Sequence, residues 1–147
     1  MNKFLLILVT VLSTSISFGQ AAAPAALVVL PETLENTMDA MGDNLKAVGT
    51  NFMNPTLKDT TVTASANLVL LAVHAQTLVP SKILEAPVEA QAELTAKYKS
   101  LLSQLSVTAV QVLSAVQSGK IDLVPALLND LKAIKKDGHT EFKPPQK

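Results

Sequence analysis

Few side chains in this sequence are equipped for chemistry. Histidine occurs twice, at His74 and His139, and beyond residue 19 methionine occurs at Met38, Met41 and Met53. Cysteine is absent, which removes disulfides, iron–sulfur clusters, thiolate zinc sites, thiol nucleophiles and thioether-attached prosthetic groups. Neither histidine has a glutamate three residues before it, since position 71 is Leu and position 136 is Lys. The E-x-x-H pairs of di-iron bundles are therefore missing. No H-E-x-x-H, Gly-rich phosphate loop or local Ser–His–acid arrangement is present, so the chain does not read as an enzyme. All 12 basic residues are Lys and the formal net charge is +0. Without Arg or a basic excess, nucleic-acid binding is not expected. What remains are imidazoles and thioethers, and their use depends on the elements that carry them.

Those elements follow from a repeated apolar spacing. Leu34, Met38, Met41, Leu45, Val48 and Phe52 alternate steps of four and three residues, the seam of an amphipathic helix. Pro31 is placed at its first turn, with Glu32 and Glu35 at the positive end of the dipole. Asn54-Pro55 reads as an N-cap and first-turn proline opening a second helix. That helix carries Leu57, Thr61, Ala64, Leu68, Leu71, Ala75 and Leu78 on one seam. The β-branched run Thr60 to Thr63 weakens its first turns. Pro80 and Pro87 bracket a loop. A third helix runs from Pro87 to Ser118 on the seam Leu94, Tyr98, Leu101, Leu105, Thr108, Val112, Ala115, and Gly119 terminates it. The fourth runs from Lys120 or Ile121 to Phe142 with Ile121, Val124, Leu128, Leu131 and Ile134 inward. Pro125 is expected in its second turn, at the cost of one hydrogen bond and a small bend. Four stripes with mostly short links predict an all-α protein, an antiparallel up-down four-helix bundle.

The first residues have the pattern of an export signal. Lys3 is followed by the apolar stretch Phe4 to Leu12, too short to span a bilayer, and then by small residues up to Gly19. The expected organisation is a signal peptide over 1–19, a lead-in segment over 20–30 and a bundle over 31–143. The exported chain would be periplasmic, with no stable membrane insertion once the signal is removed.

Up-down topology brings the start of helix 1 and the end of helix 4 to the same end. Met38 lies seven residues past Pro31, about 10 Å along the helix at about 1.5 Å per residue. His139 lies three residues before Phe142, so the two levels match. At about 100° per residue His139 shares the face of Leu128 and Ile121. A thioether and an imidazole facing each other across a core can hold a haem iron axially, without covalent attachment. Three other readings stay open. Met38 can be ordinary core packing. His139 can simply answer the helix dipole. His74, on the flank of helix 2 at the same end, can pair with His139 or remain at the boundary.

The segment LENTMDAMGDNLKAV, with Met38 ahead of Asp43-Asn44-Leu45-Lys46, resembles the opening of the cytochrome b562 family. The stretch GKIDLVPALLNDLKAIKKDGH, ending at His139, resembles that family's last helix. The resemblance covers residues 31–143 and is thinnest through helix 2. It implies an electron-transfer protein holding one non-covalent haem b (one iron), with Met38 and His139 as the metal ligands. It also implies pocket walls from Met41, Leu45, Tyr98, Leu102 and Leu131. Leu102 stands where the family has a second ring, Gly138 where a larger residue is common, and only Lys135 and Lys136 are at hand to pair with propionates. Partners would be other periplasmic redox proteins, met transiently. The alternative is a haem-free exported helical bundle acting as an interaction or stress protein.

Overall fold

A computed structural model describes residues 28–143, and every regular element among them is helical. The expected export signal and most of the lead-in segment lie outside the described residues. Five α-helices lie among the described residues: α1 (Leu34–Asn51), α2 (Lys58–Ala75), α3 (Ser81–Glu85), α4 (Val88–Ser118) and α5 (Val124–Phe142). Among the described residues no helix is long and apolar enough to cross a membrane.

The four long helices form one ring of contacts: α1 against α2, α2 against α4, α4 against α5, and α5 back to α1. This is compatible with a four-helix bundle. The core lies where the seams meet. Met41 and Val48 of α1, Leu68 and Leu71 of α2, Tyr98, Leu102 and Val112 of α4, and Val124, Leu128 and Leu131 of α5 are buried. Burial of apolar surface on this scale is the main favourable term of folding. Two buried hydroxyls of α2 are satisfied by the backbone one turn earlier. Thr61 Oγ1 donates to the Leu57 carbonyl at 2.8 Å and Ser65 Oγ to the Thr61 carbonyl at 2.7 Å, so their burial leaves no hydroxyl without a partner.

The helix ends depart from the sequence reading in several places, among them the end of α2 at Ala75, short of Leu78. Helix α1 starts at Leu34, not at Pro31, because Thr33 caps it: its Oγ1 accepts from the Asn36 N–H at 3.2 Å. Asn54 is a cap as expected, but the element it opens is a single 3₁₀ turn, Pro55–Leu57, that runs into α2. The link between the two prolines is not all loop, since it contains α3, which rests on α4 and α5. Pro125 sits in the first turn of α5, after the 3₁₀ turn Ile121–Leu123. Its missing N–H therefore costs no helical hydrogen bond. Gly119 ends α4 as expected, at φ 73°, a left-handed conformation that favours glycine.

Candidate functional site

The first half of α1, the first half of α4 and the second half of α5 converge on a cavity of about 500 Å³. Helix α1 contributes Leu34, Met38, Met41 and Leu45, α2 contributes Leu68, and the link ahead of α3 contributes Val79 and Pro80. From α4 come Tyr98, Leu101, Leu102 and Leu105, and from α5 come Leu131, Ile134, His139 and Phe142. The volume falls within the range of about 300–1,000 Å³ usual for small-molecule and cofactor pockets.

Met38 and His139 both line this one cavity, and both are half-buried. Their helices bring them together for reasons visible in the sequence. Met38 stands one step along the α1 seam from Met41. His139 stands eleven residues past Leu128, three turns further along the same face of α5. Asp39, next to Met38, is close enough to His139 to raise its pKa. Burial nevertheless holds the imidazole below its usual pKa, helped by the positive charges of Lys135 and Lys143. A depressed pKa keeps the ring neutral and leaves a nitrogen lone pair free for a metal.

The five wall residues expected from the sequence, Met41, Leu45, Tyr98, Leu102 and Leu131, line the same cavity. Tyr98 is the most constrained of them. Its hydroxyl donates to the Ala75 carbonyl at 2.8 Å, and its ring meets Phe142 edge-on, with centroids 5.3 Å apart and planes at 71°. Burial pushes its phenol up to about 12, so the group stays protonated and its donor stays in place. Sequence reading did not place Leu34, Leu101, Leu105 or Phe142 in the wall. The first three were on the seams already, and Phe142 is one turn beyond His139; only the position of the void singled them out.

His74 is directed elsewhere. Its Nε2 lies 2.8 Å from the Pro31 carbonyl, and it is not among the residues lining the cavity. It fastens the stretch ahead of α1 instead. Among the described residues no three His, Asp or Glu side chains gather as a metal site, so the nitrogen and sulfur donors at the cavity are the metal-ligating set to consider.

The donor set fits a porphyrin iron. A soft thioether and a neutral imidazole are ligands of iron in haem proteins. The walls around them are mainly apolar, with Glu35, Asp39, Ser81, Lys135 and Lys143 also on the lining, and among the described residues no buried side-chain polar atom lacks a partner. The cavity therefore suits a large, mainly apolar occupant with a polar edge. Residues 33–143 match the family described as Cytochrome b562. The chain belongs to that family. Cytochromes b562 are haem-binding electron-transfer proteins, carriers and not enzymes. No curated protein and no solved structure shows a significant match to the chain.

Proposed function

We propose that the chain is a periplasmic electron carrier, an antiparallel up-down four-helix bundle holding one non-covalent haem b with Met38 and His139 as axial ligands. The observation that carries this reading is a single apolar cavity lined by both donors from opposite ends of the chain. Bound there, haem would supply a one-electron couple at its iron, and two protein ligands would leave no open coordination site. Met38 would supply a thioether ligand and His139 an imidazole ligand. The low pKa of His139 keeps its ring unprotonated near neutrality. Met41, Leu45, Leu102 and Leu131 would shield a bound haem from water, and an apolar, Met-containing environment would favour the reduced state. Tyr98, tied to Ala75 and braced by Phe142, fixes the rear wall. The chain would reach the periplasm through its N-terminal signal and meet other exported redox proteins transiently.

Haem titration of the full-length exported protein tests this. Stoichiometric binding is expected, with sharp reduced α and β bands and a weak long-wavelength methionine–iron band when oxidised. Met38→Ala should abolish that long-wavelength band, and His139→Ala should abolish saturable binding. A broad, non-saturating spectrum would return the chain to a haem-free bundle. Low-spin binding that survives Met38→Ala and disappears with His74→Ala would assign a bis-histidine site instead.

A further inference from the structure

A second depression, about 710 Å³, lies along the joint between α1 and α5. Its lining is more basic than that of the first, with Lys135 common to both. Lys46 comes from α1 and Lys132, Lys135 and Lys136 from α5, and no acidic residue is among the lining residues. All four lysines are exposed, and among the described residues the ion pairs are made by Lys82 and Lys97 with Glu141, not by these. The floor is apolar, from Leu45 and Leu128.

The spacing explains the shape. Gly42 and Gly49 stand seven residues apart on the face of α1 that meets α5. A Cβ built on Gly42 would lie 3.4 Å from Lys135 Nζ, and one on Gly49 would lie 3.8 Å from Leu128 Cδ1. Two missing side chains open the joint, and the Lys135 ammonium lies over one of the gaps. Lys132, Lys135 and Lys136 share one face at steps of three and four residues, where like charges repel. The helix dipole does not account for them all. Its effect falls off within the last turn, and Lys132 is ten residues before the end of α5 at Phe142.

We infer that the α1–α5 groove is a docking site for an acidic amphipathic helix of a partner protein. An apolar floor with a cationic rim matches a helix with one apolar face and carboxylates along its flanks. The stretch from Leu128 to Thr140 along the groove gives about 18 Å at about 1.5 Å per residue, the length of some three helical turns. Nucleic acid is the poorer match, because the chain has no Arg and the groove lining has no Phe, Tyr or Trp for a base to stack on. The groove shares Gly42, Leu45, Lys135 and His139 with the first cavity, so a docked partner would lie beside the proposed haem. The inference does not depend on that reading, since its lysines and floor belong to the chain itself.

The test is fluorescence anisotropy of a labelled Glu-rich amphipathic peptide of about three turns, titrated with the full-length exported protein, haem-free and after haem addition. Saturable binding is expected, weakening as salt is raised. Lys132→Glu with Lys136→Glu should weaken it at least about tenfold. The same charge change made at Lys99 and Lys120, which do not line the groove, should leave it within about twofold. Milder Lys132→Gln with Lys136→Gln variants should give an intermediate loss, and circular dichroism checks that each variant stays folded. Equal weakening by the control pair would overturn the inference, because only diffuse charge would then matter. It also fails if anionic vesicles or a DNA oligonucleotide bind as tightly as the peptide. Failure to take up haem, with peptide binding intact, would count against the electron-carrier reading alone.

Discussion

Val48, Ala109, Val112 and Val124 are sealed from solvent at 0% exposure, while Leu34, Met38, Leu45, Leu101, Leu105 and Ile134 stay half-buried around the cavity. Both groups are apolar residues on the inward faces of the same three helices, α1, α4 and α5. The difference is side-chain size against the space between helices. Where Ala64, Ala109 and Ala115 are buried, small residues let the helices close over the valines. Around the cavity, larger residues line a void that they do not fill. One region is complete with its own side chains. The other gains its full apolar burial only when something occupies it, and it is the region that holds the two candidate ligands.

The widest separation between the regions should appear in core truncation. Leu71→Ala removes a fully buried side chain and is expected to cost about 2–5 kcal/mol in urea unfolding. Leu105→Ala at the cavity wall should cost well under half of that in the haem-free protein, because its side chain already faces a void. Equal losses would mean that the cavity is closed in solution. Next in size is the effect of filling it. Haem at a hundredfold excess over its dissociation constant should add about 2.7 kcal/mol to unfolding stability. His139→Ala should remove that gain and leave haem-free stability nearly unchanged. Hydrogen exchange should show the new protection in the first halves of α1 and α4 and the second half of α5, not around Val112.

Tyr98 joins the two regions and gives a smaller, cleaner signal. Losing its bond to Ala75 in Tyr98→Phe should cost about 1 kcal/mol. Its folded pKa lies above the usual value of 10, at about 12. The stabilisation is thus complete below pH 10 and is lost as pH rises through about 12. Tyrosinate absorbance reads this directly, since the chain has one Tyr and no Trp. A phenol titrating near 10 with the fold intact would show that the ring is not held. The smallest effect belongs to Glu141, which pairs with Lys97 at 2.7 Å and more loosely with Lys82 at 3.9 Å. The Lys97 hydrogen bond draws its pKa below the ordinary carboxylate value. Its stabilisation is present above that value and fades as pH falls through the depressed one. Glu141→Gln should barely move the melting temperature at neutral pH, as exposed ion pairs contribute little.

The helices were legible because their causes are local. The seam from Leu34 to Phe52, the Asn54 cap and the left-handed Gly119 each act within a few residues, and such signals need no knowledge of the rest of the chain. The misjudged ends have local causes as well, but competing ones. Thr33 and Pro31 both suit a helix start, and the hydroxyl that accepts a bond from Asn36 prevailed. The chain has no comparable local pattern for α3, whose five residues are held by contacts with α4 and α5.

The candidate site divides the same way. Its donors were visible as residue types, and the face and level of Met38 and His139 followed from helical periodicity. The family match over residues 33–143 adds a likeness carried by the whole bundle. That a cavity lies between those donors was not visible, because a void is set by how far apart several helices stand at once. The same holds for the Tyr98 hydroxyl reaching Ala75, for His74 turning to Pro31, and for four lysines from two helices sharing one groove. Periodicity states which way a side chain faces along its own helix. Only packing states what it then meets, because that distance depends on side chains contributed from every other element.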